Sequence, residues 1–370
     1  MTPFPPPVAL RWRPFRLPLR ARFEAAHGAT ASRAGVLVQA RDEAGRAGLG
    51  EASPYPSLGG GTVDDVLALL TRHGAAACDA GTLDAGPGVE ALRCALDAAT
   101  LDLAGQAAGQ PVAALLTPRP AASVAVNAVV GGGTPDEVVG YALDAVGAGY
   151  RTLKFKVGVS PAAEEARVIA AVREACPGVA IRLDANGAWG EAAARAAIEA
   201  FAPYGVEWLE QPVPAAEVEA LGRIAAASPI RIAADESLTD PATRARVVEL
   251  DSVDVVVLKP MMLGGLRPAL EVARRATAAM KAVVVTTTFD SSAGTAVALH
   301  LAAAVEASAR AEVAHGLSTG EHLGADICAS PLVPSGGRLA LPAGPGLGVA
   351  LDASALDAVA TAPWSDWTSR

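Results

Sequence analysis

Short apolar runs alternate with alanine-rich segments along the chain from about residue 120 onward. The runs cover residues 123–130, 152–157, 179–184, 206–210, 230–235, 253–259, 282–288 and 311–317. Each run is nearly continuously apolar, as expected for a strand that is covered on both faces. Eight such strands separated by helix-length segments predict an α/β fold whose parallel strands close into a (β/α)₈-type barrel.

The N-terminal third has a different pattern. Residues 35–40 and 48–52 are predicted to form a hairpin around the polar turn at 41–45, and helices are predicted near 62–77 and 88–106. We therefore expect an N-terminal α+β capping domain over 1–120, a barrel catalytic domain over 121–330, and a C-terminal segment over 331–370 that packs back on the capping domain. The barrel span is short for this fold, which usually takes about 250 residues. The barrel could thus be incomplete, and the flanking parts would have to complete or cap it.

Acidic residues end three successive predicted strands, and these are Asp184, Glu210 and Asp235. Enzymes with this fold place their active sites at the carboxyl ends of the strands, and neighbouring strands lie about 4.8 Å apart, so the three carboxylates are expected to converge. Three close anions repel each other unless a cation lies among them, and ligands that are all oxygen suit Mg²⁺. The alternative, that each acid is an ordinary loop residue or a helix N-cap, is less favoured for three acids in register.

Lysines occupy the same topological position on two other strands. Lys154 and Lys156 end the second strand and point to one side, because side chains alternate along a strand, and Lys259 ends the sixth strand. In a ring of eight, strands two and six face each other, so Lys156 and Lys259 are expected on opposite sides of the barrel mouth. A lysine beside other cations suits the removal of a carbon-bound proton next to a metal-bound carboxylate. The alternative is that the lysines only neutralise the acids.

Composition narrows the class of protein further. The chain is 51% hydrophobic and carries a net charge of −9, so it has no phosphate-binding footprint and nucleic acid is not an expected partner. Four cysteines without CxxC spacing argue against a disulfide scaffold and a structural zinc site. No apolar stretch of about 18 residues and no signal-peptide pattern are present, so we expect a cytoplasmic protein with no membrane partner. The oligomeric state stays open.

The ordered motifs LKFKVG, RLDANGAW, WLEQP, AADESL, VVLKPMMLGGL and TTTFDSSAGTA resemble the enolase superfamily, in its muconate-lactonizing-enzyme-like subgroup. GLGEASPYP and the helix ending in GQPVAALL resemble the capping domain of that family. The resemblance implies that Asp184, Glu210 and Asp235 bind Mg²⁺, for which Mn²⁺ could substitute, and that Lys156 and Lys259 form the acid/base pair. It also implies three supporting residues, namely Lys154, Asn186 and Glu236.

Within the subgroup, the chain most resembles the o-succinylbenzoate synthases. Three features carry this resemblance, namely Arg182 two residues before the first acid, the motif DESL and the motif TTTFDSSAG. This similarity implies a dehydratase of menaquinone biosynthesis. Lys156 would remove the proton α to a carboxylate of a small cyclohexadiene substrate, and Lys259 would stabilise the charge that results. Arg182 would either pair with a substrate carboxylate or support the acids. Further substrate contacts are expected from Thr287, Thr288, Gly316 and Ser318, although turn and cap roles are nearly as well supported for these residues.

Other activities of the subgroup remain as alternatives. Gly187 stands where such synthases would carry a larger basic residue. Residues 315–319 contain no Asp-x-Asp, the pair expected to bind the substrate ammonium in dipeptide epimerases, and this argues against that activity. N-succinylamino acid racemases share the opposed lysines, and cycloisomerases use the same scaffold, so both stay open. The segments around 23–28 and at Tyr55 are expected lid loops, His27 is expected to be a surface histidine, and His300 a hydrogen-bonded helical one.

Overall fold

The structure is a computed structural model that describes residues 7–25, 28–78 and 82–368. The prediction for His27 lies outside these residues. The N-terminal elements are β1 (Ala9–Ala25), β2 (Gly28–Arg41), β3 (Ala47–Ala52), α1 (Val63–His73), α2 (Val89–Ala108) and α3 (Val112–Leu116). The three strands form an antiparallel sheet, to which a C-terminal strand is added on the free edge of β1.

Small residues allow this N-terminal sheet to lie close to its longest helix. A side chain at Gly48 or Gly50 of β3 would collide with the carbonyl oxygens of Ala99 and Ala95 in α2. Glycine is therefore required at both positions of the GLGE motif for strand and helix to pack at this distance.

The remaining elements alternate strand and helix. They are β4 (Ser123–Ala125), β5 (Ala128–Val130), α4 (Pro135–Gly147), β6 (Thr152–Lys156), α5 (Ala162–Ala175), β7 (Ala180–Asp184), α6 (Glu191–Phe201), β8 (Val206–Glu210), α7 (Val218–Ala227), β9 (Arg231–Ala234), α8 (Pro241–Glu249), β10 (Val255–Leu258), α9 (Pro260–Leu263), α10 (Leu266–Ala278), β11 (Ala282–Val285), α11 (Ser292–Glu306), β12 (Arg338–Ala340), α12 (Ala353–Val359) and β13 (Ser365–Thr368). Strands β5 to β11 form one seven-stranded parallel sheet in sequence order. The α/β fold with an N-terminal α+β part is therefore confirmed.

The eighth predicted strand, over 311–317, is not a regular strand. Residues 315 and 316 instead make single parallel bridges, His315 to Val126 and Gly316 to Thr286. The His315 imidazole accepts the hydrogen bond of the Val285 amide (3.0 Å), which a regular neighbouring strand would take with a backbone carbonyl. This segment links the β11 edge to the strand that precedes β5, so the ring is closed by an irregular eighth stave.

Two further features concern the whole chain. Strand β13 pairs with β1, so the C-terminal end of the described chain adds to the N-terminal sheet. The domain boundaries at residues 120 and 330 stay a proposal. Among the described residues, no helix has both the length and the apolar character needed to cross a membrane.

Candidate active site

Three acids come together at the carboxyl end of the parallel sheet. Asp184 and Glu210 are the last residues of β7 and β8 and are paired in register, and Asp235 directly follows β9. One carboxylate oxygen of each lies within 4.8 Å of the others, and all three residues are buried. The strand register therefore brings these predicted ligands to one point, and this group could hold a metal ion.

Two lysines of β6 contact this cluster from one side. Lys154 Nζ lies 2.7 Å from Glu210 Oε1 and 2.8 Å from Asp184 Oδ2. Lys156 Nζ donates to Asp184 Oδ2 (2.7 Å) and to Asn186 Oδ1 (2.8 Å). Both side chains point to the same face of β6, as the period of two predicts.

Lys259 approaches the cluster from the other side of the barrel. It follows β10, is only 9% exposed, and its ammonium contacts Asp235. Burial alone would lower the pKa of Lys259, but the charges of Asp235 and Glu236 raise it above its usual value. The chain contains four lysines, so only Lys281, which directly precedes β11, lies away from the site.

The cluster is electrostatically uneven. Burial and the charge of Asp184 raise the pKa of Glu210 to about 8, although Lys154 opposes this. Burial would also raise the pKa of Asp184, but the ammonium groups of Lys154 and Lys156 hold it far below its usual range. Positive charge is therefore concentrated beside Asp184, and a further cation close to Glu210 would favour the carboxylate form of that acid.

Glu236 provides a second indication that a cation fits at this site. Its Oε1 accepts a hydrogen bond from Asn186 Nδ2 (2.8 Å), whereas its buried Oε2 has no hydrogen-bond partner among the described residues. Burial and the charge of Asp235 raise the pKa of Glu236 to about 7. An oxygen-only donor set with a buried unsatisfied carboxylate oxygen beside it fits a hard divalent cation such as Mg²⁺.

Strained backbone supports the acids. Asn186 and Gln211 adopt left-handed conformations, with φ of 44° and 39°, in the loops after β7 and β8. The Asn186 amide donates to Asp184 Oδ1 (3.0 Å), and Gln211 Oε1 accepts from the amides of Asp235 (3.0 Å) and Ser237 (3.2 Å). Such strain persists where contacts hold it, and here it orients two of the three acids. Gln211 was not predicted as a site residue, although it lies inside the WLEQP motif.

Two of the three acids, Asp184 and Asp235, and the three site lysines line a cavity of about 790 Å³ between the barrel and the N-terminal part. The barrel contributes Lys154, Lys156 and Lys259, and the N-terminal part contributes Arg16, Arg33, Tyr55 and Leu58. The predicted lid position at Tyr55 thus lines the cavity, while the side chains of residues 22–29 are not described.

Only some of the predicted substrate contacts line the cavity. Thr287, Thr288 and Gly316 line the cavity. Ser318 is not among the lining residues, and its hydroxyl donates to the Asn127 carbonyl (2.6 Å). Arg182 is not among them either.

Arg182 lies inside the barrel. Its Nε donates to Glu207 Oε2 (2.7 Å), its Nη1 donates to the Ala314 carbonyl (2.5 Å), and its guanidinium stacks over the Trp208 ring at 3.6 Å. The guanidinium is therefore committed to these three partners and connects β7 with β8 and the eighth stave.

Arg33, on β2, was not predicted as a site residue. Its Nε donates to the Thr288 carbonyl (2.8 Å), its Nη2 to Thr288 Oγ1 (3.1 Å) and its Nη1 to the Pro54 carbonyl (2.5 Å). The guanidinium also lies 4.9 Å from the centre of the Tyr55 ring. One buried side chain thus ties the Tyr55 loop to the loop after β11, and nothing in the local sequence pattern marks it.

Glu51, at the end of β3, makes a similar connection. It accepts hydrogen bonds from the amides of Ser291 (3.2 Å) and Gly294 (3.1 Å), at the start of α11, and from Ser53 Oγ (2.7 Å). Burial and the charge of Asp290 raise the pKa of Glu51 to about 7. The side chain of Glu51, which belongs to the N-terminal part, thus caps helix α11 of the barrel. This contact connects the N-terminal part to the barrel.

Known proteins are similar to this chain in sequence. A family model described as Enolase C-terminal domain-like matches residues 137–355. A hydrophobic dipeptide epimerase of Enterococcus faecalis is 31% identical, with 88% of this chain and 95% of that protein covered. An o-succinylbenzoate synthase of Mycolicibacterium smegmatis is 38% identical, with 66% of this chain and 72% of that protein covered.

A solved structure extends the likeness to the whole molecule. The crystal structure of a dipeptide epimerase from Enterococcus faecalis, complexed with Mg and the dipeptide L-Leu-L-Tyr, superposes with a TM-score of 0.85 at 27% identity and covers 94% of this chain and 100% of its own. The chain belongs to the enolase superfamily, in its muconate-lactonizing-enzyme-like subgroup. It is an enzyme of that superfamily, whose members here include synthases, epimerases, racemases and cycloisomerases.

Proposed function

We propose that this enzyme is a Mg²⁺-dependent o-succinylbenzoate synthase, which removes water from a cyclohexadiene carboxylate in menaquinone biosynthesis. The observation that carries the proposal is the placement of Lys156 and Lys259, which reach one cavity from opposite flanks of the three acids. Two amines on either side of a bound carboxylate suit proton transfer at the neighbouring carbon.

Asp184, Glu210 and Asp235 would hold the metal, with Mn²⁺ as an accepted substitute. When bound, the ion supplies positive charge that holds the substrate carboxylate and offsets the negative charge developing on it. Lys156 first gives up its ammonium proton to solvent, and the resulting amine then takes the proton from the α-carbon. The carbon–hydrogen electron pair becomes the new double bond, the carbon–oxygen bond breaks, and the Lys156 ammonium returns its proton to the departing hydroxyl as water.

Lys259 serves a different role in this scheme. Its ammonium is buried and contacts Asp235, so it presents fixed positive charge to the flank of the substrate opposite Lys156. A preorganised charge in a buried site stabilises a developing anion more than the same charge in water. Dehydration needs only one base, which is Lys156. Lys259 can therefore stay protonated and stabilise the negative charge that develops on the substrate.

The charges that line the cavity favour a substrate without an ammonium group. Outside the acid cluster and Glu236, the only acid among the described lining residues is Asp64, in the first turn of α1, while Arg16 and Arg33 supply positive charge. The 38% identity to o-succinylbenzoate synthases supports the same reading, because this substrate carries a second carboxylate instead of an ammonium.

The second candidate is an N-succinylamino acid racemase or a related epimerase or cycloisomerase. It is favoured by the same opposed lysines, because racemisation needs a proton donor and an acceptor on opposite faces. A racemase of N-succinyl-L-Arg and -Lys from Bacillus cereus is 26% identical over 80% of this chain.

Turnover in D₂O separates the two candidates. The purified enzyme with Mg²⁺ is given the cyclohexadiene carboxylate and, separately, N-succinylamino acids. The proposal expects o-succinylbenzoate as product, and negligible washing of deuterium into recovered N-succinylamino acid. Racemisation with deuterium exchange and no dehydration would transfer the assignment to the racemase, and Lys156→Met is the matched negative control for both assays.

A further inference from the structure

Asn127 is a buried side chain that the site described so far does not use. It lies between β4 and β5, is 2% exposed, and lines the cavity. Its Nδ2 has no hydrogen-bond partner within the described part of the chain. Buried polar groups are nearly always hydrogen-bonded in native proteins, so a buried donor beside a cavity indicates a partner that binds there.

The backbone of Asn127 is firmly held. Its amide donates to the His315 carbonyl (2.9 Å), and its carbonyl accepts from Ser318 Oγ (2.6 Å). Both contacts join the first strand of the barrel to the eighth stave. The closure of the barrel therefore fixes the position of the Asn127 backbone, and with it the position from which the unpaired side-chain Nδ2 projects.

Asn127 lies across the barrel from Asp235, the acid that follows β9. Strand β5 follows it directly, and β5 is four positions from β9, which leads to Asp235, in a ring of eight staves. Val129 pairs in register with Lys154, and the backbone amide of Asn127 donates to His315, which precedes Gly316. Val129, Lys154 and Gly316 all line the cavity, and none of them is an acid. Asn127 and Asp235 line the same cavity, so a ligand that fills it from Asp235 to the opposite wall would contact Asn127.

We infer that Asn127 is a specificity-determining residue whose Nδ2 donates a hydrogen bond to a carbonyl or carboxylate oxygen of the substrate. This inference rests on the proposed function, since it requires a substrate with an acceptor oxygen besides those bound at the acids. The succinyl groups of o-succinylbenzoate and of N-succinylamino acids both meet that requirement.

The test measures equilibrium binding of two ligands in the presence of Mg²⁺, o-succinylbenzoate and N-succinylphenylalanine. Wild type is compared with Asn127→Ala, which removes the amide, and Asn127→Asp, which keeps its size and replaces the donor with an anion. We expect Asn127→Ala to lower the affinity for the ligand about 5- to 30-fold, because one buried hydrogen bond is lost. Asn127→Asp should lower the affinity further, because it places an anion where the donor was. Gln106→Ala, which removes an amide bonded to the Ala47 carbonyl outside the cavity, should change affinity less than about twofold.

The possible outcomes distinguish a failure of the Asn127 inference from a failure of the proposed function. Affinities of Asn127→Ala and Asn127→Asp within twofold of wild type, or a loss of thermal stability without a loss of affinity, would overturn the inference and leave the proposed function intact. Binding of N-succinylphenylalanine alone would refute the synthase proposal, while the Asn127 effect on that ligand would still decide the inference. Binding of neither ligand by wild type would overturn both.

Discussion

Replacing Lys156 with methionine removes the proposed base while keeping the length of the side chain. The change deletes hydrogen bonds from Nζ to Asp184 Oδ2 (2.7 Å) and Asn186 Oδ1 (2.8 Å). Lys154 still lies 2.8 Å from Asp184, so this acid keeps one cationic partner and the three carboxylates should stay in place. The variant should therefore fold and bind metal.

The expected loss is in turnover. General-base catalysis contributes about 10²- to 10⁴-fold, and here the same group also returns the proton to the leaving hydroxyl, so we expect kcat to fall by about 10³-fold or more, or about 4 kcal/mol of activation free energy. The dissociation constant for Mg²⁺ should change by less than about threefold, because one competing ammonium is lost and no ligand is removed.

The assay is steady-state dehydration of the cyclohexadiene carboxylate, with Mg²⁺ binding and thermal melting measured on the same preparation. Lys281→Met is the matched control, because Lys281 donates to the Val253 carbonyl (2.8 Å) and does not line the cavity. That control should lose stability but keep kcat within about twofold. If Lys156→Met retained more than a tenth of the wild-type kcat, Lys156 could not be the base.

Three further outcomes follow from the same contacts. Chelation with EDTA should abolish turnover and added Mg²⁺ should restore it, whereas activity that survives exhaustive chelation would exclude a metal role for the acids. Lys259→Met should lower kcat by about 10²-fold or more and leave any exchange of the α-proton through Lys156 detectable in D₂O, since only the stabilising charge is removed; complete loss of exchange would instead assign proton transfer to Lys259. Burial lowers the pKa of His300 to about 4, so the folded state stays neutral while the unfolded chain binds a proton below pH 6.5. Folding stability should then fall by about 3 kcal/mol between pH 6.5 and 4 from this residue, and His300→Gln, although less stable at pH 7.5, should show a flatter dependence in urea unfolding; equal slopes would contradict the assignment.

The barrel could be predicted because its sequence repeats a simple physical pattern. Strands covered on both faces read as apolar runs, and the acids and lysines recur at the ends of those runs, where parallel topology gives them one common edge. That is why Asp184, Glu210 and Lys156 could be expected together before any coordinates. Their chemical roles stay predictions, as do the boundaries of the domains.

The features that escaped prediction depend on contacts distant in sequence. Arg33 and Glu51 act across the interface between the N-terminal part and the barrel, and their own neighbours carry no periodic signal. The prediction of a regular strand over 311–317 was wrong. The His315 side chain accepts the hydrogen bond that a backbone carbonyl of a regular strand would accept. Asn127 lies in an apolar run without any local signal of function, and only the closure of the ring places its side-chain amide at the cavity.

The scarcity of lysine has a practical consequence. Lys156 is the most exposed of the three site lysines, with 21% of its side chain accessible, against 14% for Lys154 and 10% for Lys259, and Lys281 is 5% exposed. Acylating reagents should therefore label very few lysines, and Lys156 should react first among them. Protection of that one amine, read by intact mass, would report occupancy by any small molecule, including compounds that the enzyme never turns over.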